Sequence, residues 1–124
     1  MDVEREAYGR AVPRRTIVDP AAEVIGRRIR ELREELGFGQ EALAHTADFS
    51  KGHLSSLERG LVMPTVATLT KLAEALGVLV ADLVVDPAGS PRERVIDLTR
   101  RTPPGTLKRL AKDLEALQRK TGHR

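Results

Sequence analysis

Apolar residues recur at helical spacing through the middle of the chain. The first run steps by four, three and four residues, which places its members on one face of a helix: Ile25, Ile29, Leu32 and Leu36. Asp19 can cap this helix, and Pro20 suits its first position. The pattern predicts an amphipathic helix that Gly37 and Gly39 end.

Two short helices joined by a tight turn follow. The second helix begins at Gln40 and buries three residues, Leu43, Ala44 and Ala47. Asp48–Phe49 forms the turn, and Ser50 is a good N-cap for a third helix. This third helix carries Leu54 and Leu57 and ends at Gly60.

A fourth and a fifth helix complete this part of the pattern. Thr65 caps the fourth helix and Gly77 stops it. Its predicted inward residues are Val66, Leu69, Leu72, Ala73 and Leu76. The fifth helix, residues 80–84, is short, and no strand pattern or internal repeat is present.

The last third of the chain predicts two further helices. A linker over residues 86–91 precedes a helix that Ser90 caps and that carries Val95, Ile96 and Leu98. A break over residues 102–106 precedes the last helix. Its leucines step by three, four and three residues, a heptad-like seam of under two heptads: Leu107, Leu110, Leu114 and Leu117.

These elements predict an all-α fold, in which a five-helix domain carries a C-terminal helical extension. We expect a flexible N-terminal arm over residues 1–18, the five-helix domain over 19–86, and the linker and extension over 87–124. Aromatic residues are 2% of the 124 residues, so aliphatic side chains must fill the core.

Composition narrows the function classes. Cysteine is absent and the three histidines are scattered, so we expect no disulfide, no metal site and no cofactor. No run approaches the roughly 18 apolar residues of a membrane span, and the first ten residues lack the apolar core of a signal peptide. We therefore expect a cytoplasmic protein with no membrane partner.

Charge is distributed unevenly along the chain, whose formal net charge is +3. Residues 22–87 hold seven basic and ten acidic side chains, whereas residues 88–124 hold ten basic and four acidic ones. The basic excess thus lies outside the central helices. Electrostatics alone therefore does not predict nucleic-acid binding by those helices, and the local pattern must carry that prediction.

The central sequence resembles a known family. The segments GQEALA, LSSLERG and LAEALGV, with the capped fourth helix between the last two, are similar to the lambda-repressor-like (Cro/repressor, XRE) helix-turn-helix family. The resemblance runs from about Ile25 to Leu83, roughly half of the chain. It implies the five-helix fold of that family and binding to double-stranded DNA, with the third helix in the major groove.

The resemblance also implies a set of DNA-binding residues. Gln40 would contact a phosphate, His53 would lie near the sugar-phosphate wall, and the backbone at Arg59 would approach a phosphate. Four residues of the third helix, Lys51, Gly52, Ser55 and Ser56, would face the major groove. Eight residues are predicted in all: Gln40, Ser50, Lys51, Gly52, His53, Ser55, Ser56 and Arg59.

Chemistry supports these roles without requiring them. The amino ends of the second and third helices attract phosphate, Lys51 can donate to guanine, and serines can bond several bases. Gly52 can read no base, but it allows close approach. The alternatives are an ordinary exposed Gln40, a solvated Lys51 and a surface or capping His53, and they stay open at this point.

The family pattern also implies a buried ion pair between Arg33 and Glu58, which would orient the third helix without touching DNA. Two positions and one three-residue segment depart from the pattern. Ser56 stands where Arg or Gln is common, so we expect fewer contacts to bases. Asp48 stands where a glycine is common in the turn, but Asp tolerates left-handed geometry. Residues 61–63, Leu-Val-Met, stand where basic residues are common, so we expect partial burial with some dimer or partner contact.

Paired half-sites require a dimer surface. The fifth helix, the residues Leu61–Met63 and the C-terminal leucine seam are its candidates, although the C-terminal helices could instead fold back on the five-helix core. Their basic side chains could form a solvated face or add non-specific DNA affinity. Arginines at 10, 14 and 15 could enter a minor groove or stay disordered.

These observations predict a sequence-specific DNA-binding transcriptional regulator, and specifically a repressor that binds paired half-sites as a homodimer. The alternative is a protein-interaction module, antitoxin-like or an adaptor, that holds a partner through the C-terminal helices or Leu61–Met63. No metal cluster, nucleophile elbow or phosphate loop is present in the sequence, so we do not expect an enzyme.

Overall fold

The computed structural model describes residues 19–122, and within them every regular element is a helix. There are seven: α1 (Pro20–Glu35), α2 (Gln40–Thr46), α3 (Lys51–Glu58), α4 (Val66–Leu76), α5 (Val80–Val84), α6 (Pro91–Thr99) and α7 (Pro104–Thr121). The predicted all-α fold class is confirmed. The chain divides into two compact units, of which the first ends at Val84 and the second begins at Val85. The predicted N-terminal arm lies outside the described residues.

Side-chain caps begin the helices where the sequence predicts them. The Asp19 carboxylate accepts a hydrogen bond from the Ala21 amide at 2.8 Å. The Ser50 hydroxyl oxygen accepts one from the His53 amide at 3.0 Å, and the Thr65 hydroxyl oxygen accepts one from Thr68 at 3.1 Å. Each cap satisfies an amide that the helix leaves unpaired. The starts of α1, α3 and α4 are therefore locally encoded.

Aliphatic side chains from α1–α5 form the core of the first unit. The largest fully buried side chains are Ile29, Leu32, Leu43, Leu54, Leu57, Leu72 and Leu83. Two positions of the predicted apolar pattern are exposed, and the prediction that Val66 points inward is wrong. Leu36 is 41% exposed because α1 ends at Glu35 and Leu36 is its C-cap, and Val66 is 74% exposed because it occupies the first position of α4.

Helices α1 and α3 approach closely at two glycines. A Cβ atom on Gly26 would collide with the carbonyl oxygen of Leu57. Gly60 has a positive φ of 73°, and a Cβ atom there would lie 2.8 Å from the Cα atom of Glu23. The packing of α3 against α1 thus depends on two missing side chains.

A buried polar contact joins α1 to α5. The Arg28 guanidinium donates from Nε to the Asp82 carbonyl oxygen at 2.7 Å. The Asp82 carboxylate in turn accepts a hydrogen bond from the Leu79 amide at 2.9 Å, just before α5 begins. Arg28 and Asp82 are each 5% exposed. These contacts fix the position of a helix that is only five residues long.

The second unit contains α6 and α7. Ser90 and Glu93 form a capping box at the start of α6, which confirms the predicted Ser90 cap. On α7 the side chains of Leu110, Leu114 and Leu117 are exposed. Among residues 19–122, the helices are all too short or too polar to cross a membrane.

Candidate nucleic-acid interface

A tight turn sets the angle between α2 and α3. Asp48 has a φ of 65° and is the one non-glycine residue with positive φ in the described chain. The next residue, Phe49, donates its amide to the Ala44 carbonyl at 2.7 Å. Asp tolerates this left-handed geometry better than most residues, so the prediction that the turn survives without glycine is confirmed.

The amino end of α3 presents a small polar surface. Lys51, Gly52 and His53 are exposed, and no atom outside the local helix lies within 4 Å of where a Gly52 Cβ would stand. The His53 ring meets Phe49 edge to face, with 5.1 Å between centroids and 72° between planes. Because Ser50 also caps the helix, this end of α3 is both exposed and held by local contacts.

Further along α3 the polar side chains are less exposed. Ser55 and Ser56 are half-buried, whereas Arg59 is exposed. The Arg59 Nε atom donates to the carbonyl oxygen of Ser55 at 3.4 Å, a long hydrogen bond. The two serines therefore offer less accessible polar surface than Lys51 or Arg59.

An open cleft of about 550 Å³ lies where α1, α2 and α3 meet. Four of the eight predicted DNA-binding residues line it: Gln40, Lys51, Ser55 and Arg59. Ser50, Gly52, His53 and Ser56 do not line it. The four predicted residues that line the cleft bring an amide, two cations and a hydroxyl to one surface, and such groups contact phosphates and base edges. The exposed carboxylate of Glu41 also lines the cleft.

The predicted ion pair between Arg33 and Glu58 is confirmed at the base of this cleft. Arg33 donates to Glu58 from Nε at 2.6 Å and from Nη2 at 3.1 Å. Its Nη1 atom donates to the Phe38 carbonyl at 2.9 Å. The hydrogen bonds to Glu58 raise the pKa of Arg33 above its ordinary value. The pair therefore joins α1 to α3 as a fixed bidentate contact.

Two features of the cleft were missed from the sequence. Arg30 lines it and pairs with Glu34 at 3.2 Å on the helix surface. Its spacing from Gly26 and Arg33, four and three residues, is a helical signal that could have placed it beside α3. The second feature is a hydrogen bond of 2.9 Å from the Gln40 amide to Glu58, for which the sequence carries no signal.

The segment Leu61–Met63 follows α3. Leu61 is half-buried, while Val62 is 38% and Met63 is 45% exposed. The predicted partial burial is confirmed, and two apolar side chains remain on the surface. A dimer or partner contact there stays a prediction.

Comparison with known proteins fits this geometry. The family model described as Helix-turn-helix, HTH_3, matches residues 29–83. An uncharacterized HTH-type transcriptional regulator of Sinorhizobium fredii, y4dJ, is 44% identical over 68 residues, which cover 55% of this chain and 88% of that protein. The chain belongs to the helix-turn-helix family. Family members also include SinR of Bacillus subtilis, an HTH-type transcriptional regulator that is 39% identical over 62 residues, or 49% of this chain and 56% of SinR.

Solved structures agree on the fold of the family. The clp gene regulator ClgR of C. glutamicum superposes with a TM-score of 0.52 at 32% identity, over 56% of this chain and 88% of ClgR. The N-terminal DNA binding domain of SinR from Bacillus subtilis gives 0.50 at 35% identity, over 54% of this chain and 99% of that domain. The predicted lambda-repressor-like family, and with it a DNA-binding transcriptional regulator, are confirmed.

Proposed function

We propose that this helix-turn-helix protein represses transcription by binding double-stranded DNA at paired half-sites as a homodimer. The observation that carries the proposal is the cleft in which Gln40, Lys51, Ser55 and Arg59 converge from α2, α3 and the end of α3. A homodimer bound to DNA through this cleft would prevent other proteins from binding the same stretch of DNA.

The proposed contacts divide into phosphate and base contacts. Gln40, Arg59 and the amides at the start of α3 donate to phosphates, and Arg30 adds a cation on the same side. Lys51, at the first position of α3, donates to guanine O6 or N7. Ser50, Gly52, His53, Ser55 and Ser56 complete the proposed surface, with Gly52 allowing close approach.

We also propose that the protein acts as a repressor and that it binds DNA as a dimer. An immunity repressor protein of Bacillus phage phi105 is 37% identical over 60 residues, which cover 48% of this chain and 42% of that protein. Three exposed apolar surfaces could pair two copies: Val84 on α5, Val62 with Met63, and the leucine seam of α7. A pair of reading surfaces about one helical turn apart would match a two-fold symmetric site.

NMR mapping with a duplex of arbitrary sequence tests the interface before any operator is known. We expect amide shifts at the start of α2 and along α3, that is, at residues 39–41 and 50–59, which weaken as salt is added. Shifts confined to α6 and α7, or no shifts at low salt, would exclude this surface as the DNA interface.

Exposed apolar side chains favour a second proposed function, a module that holds a protein partner. Val62 and Met63 lie beside the proposed DNA surface, and α7 exposes Leu110, Leu114 and Leu117. Patches of this kind often mark protein contacts. A stoichiometric partner that stays bound at high salt would support this function, whereas a chain that purifies alone and binds DNA would support repression alone.

A further inference from the structure

Glu58 is an acidic side chain at the base of a surface that we propose binds a polyanion. Its side chain is 2% exposed, and a buried carboxylate of this kind requires partners for its charge and its lone pairs. An isolated carboxylate near a phosphate would also repel it. The contacts of Glu58 therefore decide what it does in this cleft.

Arg33 removes the electrostatic objection. It donates to both carboxylate oxygens of Glu58, at 2.6 Å and 3.1 Å, so the pair has no net charge. One further donor reaches the carboxylate, the Gln40 side-chain nitrogen, at 2.9 Å from Oε1. Glu58 thus joins α1, α2 and α3 at one point.

The contact with Glu58 determines how the Gln40 amide is oriented. An ionised carboxylate only accepts hydrogen bonds, so it must face the NH₂ group of Gln40 and not the carbonyl oxygen. An NH₂ group carries two hydrogens, and Glu58 takes one of them. Gln40 is half-buried at the wall of the open cleft, where the second hydrogen remains for a ligand.

We propose that Glu58 is a positioning residue for a phosphate contact: it holds the Gln40 amide so that the second hydrogen donates to one DNA phosphate. This inference rests on the proposed function, because it needs DNA in the cleft. Glu58 itself touches no DNA. Glu58 acts on DNA binding only by orienting the Gln40 amide. Arg33 neutralises the negative charge of Glu58, which would otherwise repel a nearby phosphate.

The test uses the full chain and a duplex recovered by selection from random DNA. Each phosphate is replaced in turn by an uncharged methylphosphonate, and the loss of affinity gives a profile along the duplex. For the unaltered protein we expect a loss of about tenfold at one phosphate of each half-site. In Gln40→Met the same replacement should cost little, because the donor is gone.

The decisive variant is the double replacement Arg33→Met with Glu58→Met. It removes one positive and one negative charge, so net charge is unchanged, and replacing both members of a buried pair by apolar residues tends to preserve the fold. Circular dichroism and a melting curve check that it folds. We expect the penalty at the Gln40 phosphate to fall as in Gln40→Met, with the other phosphates unaffected.

Each possible outcome of the test supports or contradicts a stated claim. An unchanged profile in the double variant would show that Glu58 does not position Gln40, and an unchanged profile in Gln40→Met would remove the phosphate contact itself. Either result overturns the inference while DNA binding stands. If the double variant does not fold, Glu58→Gln, which keeps the size of the side chain but removes the carboxylate that orients Gln40, must reduce the same penalty. Failure to recover any duplex would count against the proposed function instead.

Discussion

At the residue scale, the proposed base contact is made by Lys51, an exposed cation at the first position of α3. We expect Lys51→Ala to relax the preference for guanine at one position of each half-site, at a cost of about 1–3 kcal/mol in discrimination. Fluorescence anisotropy with the selected duplex and single-base variants measures this.

Lys112→Ala is the matched control, since it removes an exposed lysine from α7. It should change affinity for all the duplexes alike or leave it unchanged. An equal loss for matched and mismatched duplexes in Lys51→Ala would show that Lys51 contacts only phosphate.

The roles of single residues could be predicted from the sequence where they depend on near neighbours in the chain or follow from the resemblance to the family. The Ser50 cap depends on a neighbour three residues away, and Asp48 needs only its own backbone geometry. The Arg33–Glu58 pair followed from the resemblance. The bond from Gln40 to Glu58 was not predictable, because the rotation of α2 relative to α3 determines which of several acceptors an amide meets.

At the scale of elements, the contact between α1 and α3 depends on Gly26. We expect Gly26→Ala to destabilise the fold by about 1–3 kcal/mol, since its Cβ would collide with the Leu57 carbonyl and the backbone must move. Urea unfolding followed by circular dichroism measures the loss.

Gly52→Ala is the control for helix propensity. Gly52 is also helical, but its Cβ would meet open space, so alanine should stabilise α3 by roughly 0.5–1 kcal/mol. Two substitutions of the same kind are thus expected to have opposite signs. If both stabilise the protein, the close approach of α1 and α3 is not tight in solution.

The start of α6 should respond to acid. Glu93 accepts hydrogen bonds from the Ser90 amide at 3.0 Å and the Asp86 amide at 3.0 Å, and these contacts lower its pKa below the ordinary 4.5. Its stabilising effect is complete above pH 4.5 and is lost as pH falls through the lowered pKa.

An NMR titration of the Ser90 amide follows that loss directly. We expect a midpoint below pH 4.5, and Glu93→Gln should abolish the titration. A midpoint at or above 4.5 would mean that the capping box of α6 does not persist in solution.

Helix existence and type could be predicted because caps, glycines and apolar spacing agree along the chain. The errors lie at helix ends. Leu36 and Val66 fit the apolar spacing, yet each stands where a helix ends or begins, and side chains there turn away from the core. The close approach at Gly26 was also missed, because a glycine inside a helical pattern does not indicate which other helix packs against it.

At the scale of the whole molecule, the proposed binding to paired half-sites requires two copies of the chain. Among the three proposed surfaces, the α7 seam exposes the most apolar side chains, so we expect Leu114→Glu to shift the protein from dimer to monomer in sedimentation experiments. Lys112→Glu, on the same helix, is the matched control and should remain dimeric. A monomeric unaltered protein, or a dimeric Leu114→Glu, would contradict this assignment of the dimer surface.

The charge of the molecule also bears on DNA binding. The first unit contains the cleft, while the basic excess lies in residues 88–124. Specific recognition and general attraction to DNA are therefore expected to come from different parts of the chain.

In vitro selection of DNA from a random pool, followed by sequencing, tests the central claim most directly. A regulator that reads paired half-sites with α3 should enrich one motif with two-fold symmetry and half-sites about one helical turn apart. A pool that enriches no motif after repeated rounds at moderate salt would contradict sequence-specific binding by this protein.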